Sequence, residues 1–255
     1  MELPPDVVEE IARSCEPKQA GRVAERLAAA AGAYERDRYG DALRMTKSVL
    51  AVAPRSATAL ELHGLISYRL GHWRDALRYL GLAAEVAGSE EGQIPVLMDC
   101  HRALRHRRKV RELWDELRAS SPPADVLVEG RLVLAAMLRD EGRLDEAIAE
   151  LVGAGAARPL RHPSDRHVRQ WYLLADLYDR AGDIPRAREL FARVVEADPD
   201  LADASERLAG IGRPRLPTRR GPAPGGSRAP GGARSANEPR APTTPRPPKA
   251  KVAGR

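Results

Sequence analysis

The sequence predicts an all-α protein, a solenoid of antiparallel helix pairs, on three observations. A short motif centred on a small residue returns at a near-constant interval. Turn-forming and helix-ending residues recur in step with it. Aromatic residues make up only 4% of the chain, with a single Phe, which argues against the aromatic and β-branched composition of strands.

The motif reads Asp41-Ala42-Leu43, then Asp75-Ala76-Leu77, then Glu146-Ala147-Ile148, then Arg186-Ala187-Arg188. The first interval is 34 residues, and a further 34 lands on Val110, a degenerate copy in Lys109-Val110-Arg111. The next intervals are 37 and 40 residues, so extra residues enter between the later units. Five residues before each anchor stand Asp37, Gly71, Arg105, Gly142 and Gly182, where a tight inter-helix turn is expected. Three before stand Tyr39, Trp73, Arg107, Leu144 and Ile184, mostly bulky groups suited to wedging between paired helices. Twelve after stand Pro54, Gly88, Pro122, Pro159 and Pro199, residue types that end helices. Each unit therefore reads helix, turn, helix, stop.

The ends complete the array. Pro5-Asp6 opens a short helix through Val7, Val8 and Ile11 to about Ser14, with Asp6 as its expected cap. An amphipathic stretch from Asp200 to Ala209 reads as a C-terminal capping helix, which a stack needs to cover its last apolar face. Residues 1–22 are thus an N-terminal capping helix and linker, 23–212 the array with its cap, and 213–255 a disordered basic tail rich in Pro, Gly and Arg.

The body resembles a tetratricopeptide repeat (TPR) array of about five repeats. The fifth unit carries the fullest signature, Trp171, Leu174, Ala175 and Tyr178 followed by Ala187, Phe191 and Pro199. Ala175 stands where the pattern has Gly, which the second unit supplies as Gly64. The third unit departs most, with Arg105, Arg107 and Val110 at its turn, wedge and anchor positions, although Trp114, Leu117 and Pro122 hold its second helix. The resemblance implies a right-handed superhelical solenoid whose first helices line a concave, protein-binding groove. Groove residues implied by it are Leu62, Leu65, Tyr68, Arg69, Asp99, Leu132, Val133, Ala136, Tyr172 and Asp176. That face reads as a seat for a peptide or amphipathic helix of a protein partner. Occupation by the chain's own N-terminal helix, or by a second copy in a homodimer, are the alternatives. The carboxylate grip of chaperone-binding arrays is not expected, because Leu27, Ala31, Glu61, Leu65 and Arg69 occupy the positions where it needs paired cations and amides.

No catalytic residue set, cofactor or metal site emerges. Cys15 and Cys100 are too few for a disulfide framework. Cys100 and His101 are adjacent on a helix and diverge by about 100°, too far to share one ion or act as a thiol–imidazole pair. There is no HExxH, CxxC, GxSxG or phosphate-binding loop. The N-terminus carries no secretory signal, and the longest apolar run, Leu132–Leu138, is far short of a membrane span. A cytoplasmic scaffold with no enzymatic activity is expected.

Charge adds a second reading. The net charge of +6 divides into −4 over residues 1–212 and +10 over 213–255, where 11 Lys and Arg face the single acid Glu238. Such a tail suits tethering to an acidic surface, with nucleic acid as one candidate. Arg102, Arg105, Arg107, Arg108, Lys109 and Arg111 form a second basic cluster and a candidate anion or nucleic-acid patch, read against a solvated surface balanced by Glu112, Asp115 and Glu116. The alternative to the adaptor is therefore an RNA- or ribosome-associated protein using this cluster and the tail.

Overall fold

The computed structural model describes residues 2–88 and 93–212, and the tail expected over 213–255 lies outside them. The described residues form twelve α-helices and no strand. An N-terminal helix, α1 (Pro5–Ser14), precedes five helix pairs: α2 (Pro17–Glu35) with α3 (Tyr39–Leu50), α4 (Ala57–Arg69) with α5 (Trp73–Ala87), α6 (Ile94–Ala103) with α7 (Arg107–Ala119), α8 (Ala124–Asp140) with α9 (Leu144–Gly153), and α10 (Asp165–Ala181) with α11 (Ile184–Ala197). A seven-residue helix, α12 (Ala204–Gly210), closes the stack. The first repeat helix thus begins six residues ahead of the expected boundary at 23.

One turn is built five times. Asp37, Gly71, Arg105, Gly142 and Gly182 all have positive φ, between 61° and 84°. In each turn this residue donates its N–H three residues back, and the next residue donates five back, as in Gly71 N–H to the Tyr68 carbonyl (3.0 Å) and His72 N–H to that of Ser67 (2.9 Å). This is the Schellman closure, which satisfies the carbonyls left over at the end of the first helix. The anchor N–H then makes an early bond of the second helix, as Ala76 does to His72 (2.9 Å). All five anchors, Ala42, Ala76, Val110, Ala147 and Ala187, are wholly buried where the paired helices cross.

Gly suits the left-handed turn, whereas an L-residue with a Cβ loses about 1–2 kcal/mol there. Replacing Arg105 by Gly is accordingly expected to stabilise the third repeat by about 0.5–1 kcal/mol in urea unfolding. Gly64 has the opposite dependence. A methyl group there would sit 2.7 Å from Leu80 Cγ and 3.1 Å from the Leu80 backbone nitrogen. Gly64→Ala must push α4 and α5 apart and is expected to destabilise by about 1–3 kcal/mol, read as a lower melting temperature.

The caps differ in detail from expectation. Asp6 does not cap α1, because Pro4 occupies the N-cap and Asp6 lies inside the first turn. Glu10 has the capping role instead, for another helix: its carboxylate accepts from Ala57 N–H (2.9 Å) and Ser56 Oγ (3.2 Å) at the start of α4. With Val7 and Ile11 buried, α1 is fixed to the first two repeats. At the other end, Ala204 and Ile211 are buried and cover the last repeat. The inserted residues before α10 are held by Arg193, which donates to the Ala157 carbonyl (2.9 Å).

Candidate functional site

First helices of neighbouring repeats pack directly on each other in three of the four steps, α2 on α4, α6 on α8 and α8 on α10, while α6 packs on α5. That contact decides the fate of the ten expected groove residues. Leu62, Leu65, Tyr68, Asp99, Leu132, Val133, Ala136, Tyr172 and Asp176 are buried, and Arg69 alone is half-buried. The apolar members therefore do not line an open apolar groove. They are the seam between neighbouring first helices, and stacking removes the same stripe that amphipathicity turns inward.

Over this seam runs a ladder of ion pairs that joins repeat to repeat. Tyr68 of α4 donates its hydroxyl to Asp99 of α6 (2.7 Å). Arg102, one turn along α6, binds the other Asp99 oxygen (2.7 Å) and reaches across to Asp140 of α8. Asp140 also pairs with its neighbour Arg139 (3.2 Å), and Arg139 crosses to Asp176 of α10 (3.3 Å). Asp176 gathers Arg180 (2.8 Å) and Arg207 of α12 (2.8 Å), and Arg207 extends to Asp179 (2.9 Å). Tyr172 donates to Asp203 beside it, and Arg169 binds Glu129 of α8. The chain of contacts is unbroken from the second repeat to the cap.

The protonation states follow from this geometry. Burial and the facing Asp99 push the Tyr68 phenol up, and burial together with Asp203 does the same for Tyr172, so both remain donors. Burial alone raises a carboxyl, but at Asp176 the hydrogen bonds from Arg207 and Arg180 outweigh it and hold the group below its usual range. Asp176 therefore contributes stability that is fully present above the ordinary carboxylate range near pH 4 and is lost as pH falls through its lowered value. At Glu129 burial wins over Arg169, and its carboxyl is raised. Asp99, Arg102, Arg139 and Asp176 are the dry members of the ladder, and removing the partner of one of them leaves a buried charge.

The exposed rim is small. Arg69 lies over the Tyr39 ring, 4.7 Å from its centroid, and 3.8 Å from Asp37. Asp140 and Arg180 keep side-chain exposures of 43% and 48% while serving the ladder, so each still has a free side for a partner. Glu61 and Ala103 are half-buried at the repeat positions equivalent to Tyr172 and Asp140.

The expected basic cluster divides in two. Arg102 belongs to the ladder, with a side chain only 9% exposed. Arg105, Arg107, Arg108, Lys109 and Arg111 stand exposed at the turn between α6 and α7, away from the seam. Glu112 pairs with Arg108 (3.0 Å) and Lys109 (3.7 Å), as the balanced-surface reading expected. Asp115 and Glu116 are not its main partners; Glu141, from the next repeat, binds Arg107 (3.2 Å) and Arg111 (3.4 Å). The nearby histidines meet through their Nδ1 atoms, His101 to His106 at 3.1 Å, and burial with the neighbouring His106 and Lys109 pushes His101 down. Cys100 is buried, its thiol pushed up by burial and Asp99, and His63 packs on Tyr79 and meets Thr46 Oγ1 at 2.8 Å. Among the described residues no three His, Cys, Asp or Glu side chains converge as metal ligands, and no helix is long and apolar enough to cross a membrane.

Comparison with known proteins agrees with this architecture. Residues 138–209, from the end of α8 through α12, match the tetratricopeptide repeat family model. The thermophilic TPR protein TTC0263 of Thermus thermophilus superposes with a TM-score of 0.58 at 22% identity, over 74% of this chain and 97% of that one. YrrB, a TPR protein with an unusual peptide-binding site, gives a TM-score of 0.44 at 17% identity, over 72% of this chain and 90% of YrrB. No curated protein sequence matches the chain.

Proposed function

On the tetratricopeptide-repeat fold that the chain has, a scaffold suited to protein interaction, we propose that it is an adaptor that holds a segment of a partner protein, a peptide or amphipathic helix, along its concave face. The observation that supports this reading is the ladder. The Tyr68–Asp99 hydrogen bond and the ion pairs from α6 to α12 fix the spacing of the first helices before any partner arrives, so little ordering is left to oppose binding. Recognition on this surface is polar. The partner meets Glu61, Arg69, Asp140 and Arg180 at the rim and finds no open apolar trough, since Leu62, Leu65, Leu132 and Val133 are used within the stack. The role is holding rather than chemical conversion, and the basic tail beyond 212 tethers the assembly to an acidic surface.

The test is a crosslinked pull-down from the native cell with full-length protein and with Glu61→Lys/Ala103→Glu. Neither residue belongs to the ladder, so the variant is expected to melt like wild type and to lose the partner. Recovery of the same partner by both proteins would contradict the concave-face reading. Partner retention after deletion of 213–255 is also expected, because the tail serves tethering and not recognition. A homodimer seated on this face would instead appear as a concentration-dependent mass that Glu61→Lys/Ala103→Glu abolishes.

A further inference from the structure

The turn between α6 and α7 departs from the other four in ways that all add positive charge. Where three repeats have Gly in the left-handed position and one has Asp, this one has Arg105. The second helices α3, α5 and α9 carry an acid in the first turn, and Asp183 caps α11, whereas α7 opens on Arg107, Arg108 and Lys109 with no acid. Cations at the positive end of a helix dipole oppose folding, so these three are not placed there for stability.

The neighbouring repeat enlarges the patch. Arg143, at the start of α9, also binds Glu141 (3.1 Å), so guanidinium groups of Arg107, Arg111 and Arg143 share this one carboxylate. Glu141 is 13% exposed beneath them, and Arg143 has Glu146 as a second partner. Six cations thus face three paired acids, Glu112, Glu141 and Glu146, with Arg108 92% exposed at the tip. Local rules of strain, helix dipole and charge pairing are broken together at one site, the pattern expected where a surface is kept for binding.

We propose that this turn edge binds the phosphate backbone of nucleic acid. Forked guanidinium groups on two adjacent repeats suit successive phosphate oxygens. No aromatic side chain stands among the six, so binding reads phosphates with little base selectivity. Among the described residues none of the exposed large apolar side chains, Val8, Val52, Val86, Val152 and Leu160, lies on this edge, so the edge itself offers nothing to insert into a lipid surface. The edge is separate from the concave face, so the inference stands whether or not a protein partner binds there.

The experiment titrates labelled single-stranded RNA and duplex DNA of mixed sequence with the full-length protein at several salt concentrations. Arg107→Glu/Arg108→Glu/Lys109→Glu is measured beside it, with phosphatidylserine vesicles as the competing anionic surface. Acids in the first turn of α7 suit the helix dipole, so the triple variant is expected to fold. It is expected to bind about tenfold or more weaker, with the log–log salt slope reduced by about 2 for the single strand. The single variant Arg108→Glu, at the most exposed position, is expected to weaken binding about twofold to fivefold and gives the same reading if the triple variant does not fold. Equal affinity of wild type and variants would place any binding on the tail and overturn the proposal. So would absence of nucleic-acid binding by wild type at low salt, or capture by vesicles alone.

Discussion

Asp176→Ala is expected to destabilise the protein by about 3–5 kcal/mol, the range found when one partner of a buried ion pair is removed. Asp176 is 3% exposed and binds arginines from three helices, Arg139 of α8, Arg180 of α10 and Arg207 of α12. Without it Arg139, itself 6% exposed at the side chain, keeps only its adjacent Asp140, and Arg207 keeps Asp179. Arg180 is half exposed and recovers hydration, so the loss falls on the two that cannot. Urea unfolding followed by circular dichroism measures the effect, and a melting temperature lower by roughly 10 °C or more should accompany it. Lowering the pH of wild type should reproduce part of the loss, because protonation of Asp176 removes the same charge.

The second large effect separates a sealed seam from an open groove. Leu62 and Leu65 are 3% and 8% exposed, so Leu62→Glu/Leu65→Glu puts two carboxylates into the apolar stack, where the half-buried Arg69, one turn from Leu65, can answer one of them at most. A buried, unpaired charge is among the most destabilising changes a core can receive, and loss of more than about 4 kcal/mol, or of the fold, is expected. An open groove would tolerate the same pair and lose only its partner. Glu61→Ala, on the neighbouring half-exposed position, is the control and should change stability by no more than about 0.5 kcal/mol.

Much of the architecture was legible because it is periodic. The five turn residues, the five buried anchors and the helix ends before Pro54, Gly88, Pro122 and Pro199 follow from spacing alone, whereas α9 stops at Gly153, well ahead of Pro159. Even Arg105 is placed correctly by register, against its own conformational preference. Glu10 capping α4 was not legible, since the partners lie 47 residues apart and outside the period. The inward stripe was legible as inward, but hydrophobicity does not say whether a neighbouring helix covers it. Leu62 and Leu132 were read as lining a groove and are its sealed floor.

The ladder left a signal that a search for apolar recurrence passes over. Asp99 and Asp176 stand eleven residues before their anchors, Arg102 and Arg139 eight before, and Asp140 and Arg180 seven before. Seven before the anchor Asp140 gives way to Arg180, and eight before it Arg139 gives way to Asp179, so neighbouring repeats offer opposite charges that can pair across the stack as well as along one helix. The basic edge was legible as composition, but only the fold shows that Arg102 leaves it and Arg143 joins it.

Native-state hydrogen exchange on wild type and Asp176→Ala tests the ladder most directly, because it reads each helix separately. If inter-repeat ion pairs tie the stack together, α8, α10 and α12 lose protection as one unit while α2 to α5 keep theirs. Loss confined to α10, with α8 and α12 unchanged, would show that the repeats are held by apolar packing alone and would remove the ladder as the source of the rigid concave face.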